Sequence, residues 1–236
     1  MSSFSSLVVA ENAAVWRAGE LASPVAAVLA TGHAALDAEL PGGGWPVGAL
    51  VEILQTQSGQ GEWRLLLPAL ARCGPGPVVL VGAPQMPFGP GLSAQGLAAE
   101  RLLWITTAEP ASRLWACEQA LRCTEVAAVL AWLPQARDDQ LRRLHLAGAS
   151  HGKLLFVMRP APARVQSSPA ALRLLVTLRP DDDGLCLEIL KRRGPAAARV
   201  LQIAARQGRL AALLARKPGR APIRNRPQAL PLVALP

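Results

Sequence analysis

Short apolar runs alternate with amphipathic segments through the middle of the chain. Aliphatic and β-branched runs predict strands at residues 50–54, 78–81, 126–130, 154–157 and 174–178, and residues 185–190 predict a hairpin partner for the last of these across 181–184. Near-continuous apolar runs are typical of strands that are covered on both faces. The pattern therefore predicts a mainly parallel sheet.

Amphipathic helices are predicted between these strands, at residues 62–72, 112–121 and 138–149. In the third helix Leu141 and Leu144 share one face, and Asp138 precedes Arg142 by four residues, the spacing that favours an ion pair. Strands that alternate with helices indicate an α/β fold in which helices flank the sheet.

The charge of the chain is concentrated at its carboxyl end. Residues 1–188 hold 14 basic and 16 acidic side chains, for a net charge of −2, whereas residues 189–236 hold 11 basic and no acidic ones, for +11. We expect an N-terminal extension at residues 1–30, one core domain at 31–195, and a basic, Pro-rich and partly disordered extension at 196–236. Residues 196–214 fit either a helix or a strand followed by a helix.

Several classes of protein are disfavoured by composition. No apolar run approaches the roughly 18 residues of a membrane-spanning helix, and the first basic residue is Arg17, so a signal peptide is not expected. The cysteines at positions 73, 117, 123 and 186 are widely spaced, and we expect reduced, structural thiols and no metal site. His145 and His151 have no partner at ligand spacing.

The most informative segment leads into a loop at residues 55–62. It opens with T-G-x-x-x-L-D at residues 31–37, continues through a Gly-rich turn at 42–44, and reaches the loop by the strand at 50–54. A working phosphate loop reads G-x-x-x-x-G-K-S/T, because backbone N–H groups hold the phosphates, the Lys neutralises them and the hydroxyl binds Mg²⁺. Here Gln55 replaces the first Gly, and Gly61 and Glu62 replace the Lys and the hydroxyl residue. Ser58, Gly59, Gly61 and Glu62 therefore form a degenerate phosphate loop.

This arrangement resembles the RecA family over residues 31–195. The resemblance implies a RecA-like fold, a catalytic Glu after the strand at 78–81 and a magnesium-binding Asp at the end of the next sheet strand. Residues 82–85 and 129–134 contain neither carboxylate. Glu62 would also repel a triphosphate, by about 4 kcal/mol per unit-charge pair at 4 Å and an effective dielectric of ~20. We therefore expect no ATPase activity and no cofactor.

Three stretches resemble the ImuA family, a RecA/SulA-like group, more closely than RecA itself. These are residues 15–17, 40–46 and 62–70. The resemblance implies a cytoplasmic, damage-induced accessory protein of the SOS response that takes part in mutagenic translesion DNA synthesis. Its expected partners are the inactive Y-family polymerase homologue ImuB, RecA and, indirectly, an error-prone C-family polymerase.

Basic residues are the candidates for contacts with partners or DNA. Arg159 and Arg164 fall in the loop that faces DNA in RecA, so they could bind single-stranded DNA or belong to a plain surface loop. Lys191, Arg192 and Arg193 occupy the basic turn that reaches the neighbouring subunit in RecA; they could contact RecA or be solvated. The tail offers nonspecific phosphate contacts or a polymerase docking segment through Arg216, Lys217, Arg220, Arg224 and Arg226.

The sequence is also compatible with two other functions. A SulA-like inhibitor of cell division that acts on FtsZ shares the fold and lacks the phosphate loop. A true ATPase would need a displaced Lys, such as Lys153 or Lys191, and neither precedes a helix in a loop. Among the tryptophans, Trp16 and Trp45 are interface candidates, whereas we expect Trp104, Trp115 and Trp132 in the core.

Overall fold

The computed structural model describes residues 27–59, 61–179, 184–194 and 200–204. Its strands are β1 Val28–Leu29, β2 Trp45–Pro46, β3 Leu50–Gln55, β4 Val78–Val81, β5 Leu102–Ile105, β6 Ala128–Trp132, β7 Leu154–Pro160, β8 Leu172–Leu178, β9 Leu185–Lys191 and β10 Leu201–Ile203. Its α-helices are α1 Ala34–Asp37, α2 Glu62–Leu70, α3 Gly89–Ser93, α4 Pro110–Arg122 and α5 Asp138–His151. Short 3₁₀ turns lie at Pro41–Gly43, Ala99–Arg101 and Ala161–Val165.

Eight strands form one sheet in the order β10-β9-β8-β3-β7-β6-β4-β5, and β1 pairs with β2 in a separate antiparallel ribbon. Strands β3 to β8 pair in parallel, whereas β9 and β10 are antiparallel to their neighbours. The predicted α/β fold with a mainly parallel sheet is confirmed. β10 joins the sheet beyond residue 195, the predicted end of the core domain.

The sheet is covered by helices on both faces, as its apolar runs predicted. On one face Val51, Ile53 and Leu80 pack with leucines of α2 and with the segment around α3. On the other face Val79 and Val129 pack with α4 and α5. Because successive side chains point to opposite faces of a strand, one apolar run supplies both clusters.

Most predicted elements agree with the structure to within two residues; strands β1 and β2 of the ribbon were not predicted, and neither was β5. Its four residues, Leu102–Ile105, pair only with β4 and form an edge of the sheet, where Leu103 is 51% exposed. The run Leu102–Ile105 is as long and as apolar as that of β4, but periodicity alone does not distinguish so short a run from a segment of helix. The Asp138–Arg142 ion pair is confirmed at 3.4 Å on the exposed face of α5.

The T-G-x-x-x-L-D segment forms a local turn that leads to the sheet. The carboxylate of Asp37 accepts the N–H of Thr31 at 2.7 Å, and the Thr31 hydroxyl accepts the N–H of His33 at 3.0 Å. These bonds hold α1 so that Leu36 enters the core with no exposed surface. His33 Nε2 lies 3.1 Å from the carbonyl oxygen of Leu65, which ties this turn to α2.

Two of the predictions for tryptophan were wrong. Trp45, predicted at an interface, is fully buried and packs edge-on against Phe156 with ring centroids 5.3 Å apart. Trp115, predicted in the core, is 64% exposed on α4. Trp132 is buried as predicted, Trp104 is half-buried, and Trp16 lies outside the described residues.

Candidate functional site

The degenerate phosphate loop lies where β3 passes into α2, at the carboxyl end of the parallel strands. Ser58 and Gly59 belong to the turn after β3, and Gly61 is the residue before α2, with a left-handed φ of 90°. Glu62 is the first residue of α2 and is 1% exposed. The structure therefore brings the four predicted loop residues together where a RecA-like fold holds phosphate.

The carboxylate of Glu62 fills this loop from within. It accepts the backbone N–H of Gly59 at 2.9 Å, the side-chain amide of Gln55 at 2.9 Å and the indole N–H of Trp132 at 3.2 Å. These donors are all neutral, and one of them is a loop N–H of the kind that holds phosphate in a working loop. The carboxylate that was predicted to repel a triphosphate thus forms hydrogen bonds within the protein.

The position of the loop Lys is also crowded. A Cβ atom added at Gly61 would lie 2.7 Å from Cδ2 of Leu185 in β9, and the positive φ disfavours any other L-residue. A Lys at position 61 would therefore require both the backbone and Leu185 to move.

The two strands expected to carry catalytic carboxylates end without them. β4 leads into Gly82, Ala83 and Pro84, and β6 ends at Trp132, followed by Leu133 and Pro134. Together with Ser58, Thr106, Thr107 and Arg113, residues from both ends line an open cleft of about 630 Å³. Pro84 and Gln85 lie against Gly59, where a Cβ atom would be 3.6 to 3.7 Å from them.

Trp132 is the site residue that the sequence reasoning missed. It was expected in the core only, yet its indole N–H bonds a loop residue 70 positions away. The sequence did contain a signal for this contact, in two departures from the RecA pattern. Glu62 stands at the hydroxyl position of the loop, and Trp132, an N–H donor, stands near the position expected for the magnesium-binding Asp. Each replacement complements the other.

Arg159 was expected in a loop, either as a contact for single-stranded DNA or as part of a plain surface loop, and the structure contradicts both alternatives. The residue lies in β7, is 3% exposed, and donates from Nη1 to Glu52 at 2.7 Å. Glu52 also accepts from Nε of Arg173 at 2.6 Å. Arg159 Nη2 reaches the Ala136 carbonyl and the side chain of Gln166. A carboxylate on the central strand therefore draws Arg159 inward, because a buried Glu needs a paired charge.

The other candidate basic residues occupy more open positions. Arg164 is half-exposed and lies 3.4 Å from the carboxylate of Glu188. Lys191 donates to the carbonyl of Ser168 at 2.9 Å, and partial burial near Arg173 lowers its pKa.

The guanidinium of Arg192 donates to the backbone carbonyl of Glu39 and, at 3.2 Å, to the carboxylate of the same residue. Arg193 is exposed, close enough to help lower the pKa of His145. The predicted tail residues Arg216, Lys217, Arg220, Arg224 and Arg226 lie outside the described residues.

The cysteines are free thiols, and Cys117 is buried so that desolvation raises its pKa to about 12. The described part of the chain contains no group of three His, Cys, Asp or Glu side chains that could hold a metal ion. No described helix is long and apolar enough to cross a membrane.

Comparison with known proteins gives two kinds of similarity. No family model matches the chain. The cell division inhibitor SulA of Yersinia pestis (strain Pestoides F) and that of Yersinia pseudotuberculosis (serotype O:1b) are each 30% identical over 112 residues, which is 47% of this chain. The chain spans 58% of the length of these relatives.

Among solved structures, the RadB recombinase matches with a TM-score of 0.59 and 16% sequence identity, over 75% of this chain and 95% of RadB. At that identity the likeness shows the fold alone. The chain thus has a RecA-like fold, and it is similar to SulA over about half of its length.

Proposed function

We propose that the chain is a non-enzymatic accessory protein of the DNA-damage response that acts in mutagenic translesion DNA synthesis, as ImuA does. In this proposal it works in the cytoplasm, binds an ImuB-type polymerase homologue and RecA, and meets an error-prone C-family polymerase indirectly. The observation that carries the non-enzymatic part is the Glu62 carboxylate, which occupies the loop that would hold nucleotide phosphates.

A nucleotide would have to displace Glu62 from its three donors before it could enter the loop. The displaced carboxylate would then stand beside the phosphates, at a cost of about 4 kcal/mol per unit-charge pair at 4 Å and an effective dielectric of ~20. The Lys that offsets phosphate charge in a working loop is replaced by Gly61, which packs against Leu185. These features support the retention of the fold as a binding scaffold.

The choice of ImuA rests on sequence outside the phosphate loop as well. The Leu40 to Pro46 run and the long basic extension beyond residue 195 resemble ImuA. The extension holds eight basic and no acidic residues, which is +8 of the chain's net charge of +9, and this suits salt-dependent contacts with DNA or an acidic partner surface.

The partial match to SulA favours a second candidate function, inhibition of cell division through FtsZ. The two candidates share the fold and the degenerate loop, and they differ in the partner. Capture of partners therefore separates them.

The test is a pull-down of the purified full-length chain against ImuB, RecA and FtsZ in parallel, at low and high salt. Capture of ImuB or RecA supports the proposal, whereas capture of FtsZ alone replaces it with the division inhibitor. A variant in which Arg216, Lys217, Arg220, Arg224 and Arg226 become Gln tests the tail without removing β10 from the sheet. Loss of capture in that variant would assign the contact to the tail.

A second experiment tests the non-enzymatic part directly. We expect MgATP to leave the Tm of the wild type unchanged and to release no phosphate. Glu62→Thr, which restores the hydroxyl of a working loop, should also fail to hydrolyse ATP because the Lys is still missing. Turnover of ATP by the wild type would refute the non-enzymatic assignment.

A further inference from the structure

Arg113 is held at the carboxyl end of the sheet, beside the phosphate loop but outside it. This half-buried residue lies in the first turn of α4, and its Nε donates to the carbonyl of Thr107 at 2.8 Å. Its guanidinium lies against Gly82, where an added Cβ atom would be 2.9 Å from Nε. The absence of a side chain at Gly82 therefore makes room for the arginine in this orientation.

The terminal nitrogens of Arg113 have no hydrogen-bond or ion-pair partner among the described residues. Ser58, Thr106 and Thr107 supply hydroxyl groups to the same cleft of about 630 Å³, and none of the residues that line it is acidic. The nearest acid in the sequence, Glu109, borders a different depression, between α4 and α5. The lining thus presents one positive charge and several donors and no acid, while the carboxylate of Glu62 lies behind it, bonded to the lining residue Trp132.

The cleft also lies where the topology of the sheet leaves a crevice. β4 and β6 are neighbours in the sheet, and the chain leaves them toward opposite faces. After β4 it runs to α3 in the cluster that contains Leu80, and after β6 it runs to α5 in the cluster that contains Val129. Open α/β sheets bind ligands at such switch points, outside the carboxyl ends of the strands.

We propose that Arg113 is the centre of a binding site for the phosphate group of a small molecule. The guanidinium fork can donate two parallel hydrogen bonds to one phosphate, and nearby hydroxyls can reach its remaining oxygens. The site adjoins the phosphate loop, which contributes Ser58 to the cleft, but it is centred on Arg113 and does not use the Gly59 N–H, which is bound to Glu62. The inference does not depend on the proposed role in translesion synthesis.

Isothermal titration of the full-length chain with inorganic phosphate and with pyrophosphate tests the site. We expect Arg113→Gln to weaken binding by about tenfold or more, because a charge-assisted pair of hydrogen bonds is lost. The matched control is Arg122→Gln, the same change at an exposed position of the same helix, and it should bind as the wild type does. Arg113→Lys keeps the charge without the fork and should bind with intermediate affinity.

Circular dichroism and the Tm of each variant show whether it is folded; if Arg113→Gln does not fold, Arg113→Lys gives the decisive comparison. The proposal is wrong if the wild type binds neither ion, or if both arginine-to-glutamine changes weaken binding equally. A further variant, Glu62→Gln, locates the ligand. Binding that changes in Glu62→Gln and is unaffected in Arg113→Gln would assign the ligand to the phosphate loop and overturn the proposal.

Discussion

Two buried glutamates, one on each side of the sheet, are hydrogen-bonded to different kinds of partner. Glu52 lies within β3, has no exposed surface, and is bonded to the guanidinium groups of Arg159 and Arg173 at 2.7 and 2.6 Å. Glu62 lies at the start of α2, is 1% exposed, and among the described residues is bonded to three neutral donors, from Gly59, Gln55 and Trp132.

Glu52 belongs to a structural ion pair, whereas Glu62 takes the place that a ligand would occupy. At Glu52 one carboxylate faces two guanidinium groups, and the two arginines connect the central strand to β7, β8 and the turn at Ala161–Val165. At Glu62 charge is held by the dipoles of N–H groups, which is how a phosphate loop holds phosphate. The Glu62 carboxylate takes the place of a bound phosphate in this way, so the loop can keep its shape without a nucleotide.

The largest effect should follow from neutralising the first glutamate. Glu52→Gln leaves two buried arginines without their carboxylate, and breaking a buried pair costs about 3 to 5 kcal/mol. The free energy of unfolding in urea measures this. A loss below that of Glu62→Gln would reverse the order that the comparison predicts.

A smaller loss is expected when the second glutamate is neutralised. Glu62→Gln retains one acceptor oxygen and places an amide N–H₂ among donors, so we expect the free energy of unfolding to fall by about 1 to 3 kcal/mol. Glu100→Gln, at an exposed position, is the control and should change stability by less than about 0.5 kcal/mol. An unchanged stability in Glu62→Gln would show that the three hydrogen bonds contribute nothing to the loop.

The dependence of stability on pH should be set in part by one histidine on each side of the sheet. Burial lowers the pKa of His33, beside α2, and that of His145, whose Nδ1 accepts the N–H of Leu50 at 3.1 Å. Both histidines are therefore more easily protonated in the unfolded chain. Their contribution is complete above the unfolded pKa of about 6.5 and is lost as the pH falls from there toward the folded pKa.

We expect His33→Gln and His145→Gln each to reduce the loss of stability between pH 7 and pH 5, measured by urea unfolding across that range. His151→Gln, on the exposed end of α5, is the matched control. If neither variant differs from this control, the histidines are not the source of the pH dependence.

The smallest effect is expected at a pair of charges on the surface. Arg164 and Glu188 are 48% and 44% exposed and 3.4 Å apart, so water and salt screen their attraction. Arg164→Gln should therefore change the free energy of unfolding by about 0 to 1 kcal/mol. A loss of several kcal/mol would mean that Arg164 belongs, with Arg159, to the buried charge network around Glu52.

Much of the fold was predictable because local patterns agreed with one another. The apolar runs at residues 78–81 and 154–157 became central strands, since only buried parallel strands suit uninterrupted β-branched and aliphatic residues. The edge strand β5 was missed although Leu102–Ile105 is an apolar run as long as that of β4, because periodicity alone does not distinguish so short a run from a segment of helix. Trp115 was misplaced because an apolar side chain in a helical pattern does not reveal which side of the helix is covered.

The sequence by itself determined the α/β order, the positions of the central strands and the missing residues of the phosphate loop. Only the tertiary structure decided where the charged side chains went. Glu62 meets the indole of Trp132 from 70 residues away, and Glu52 meets Arg159 and Arg173 from more than 100 residues away. Local sequence encodes the propensity of an element and the periodicity of its faces, whereas the partner of a buried charge depends on which strands the topology makes neighbours.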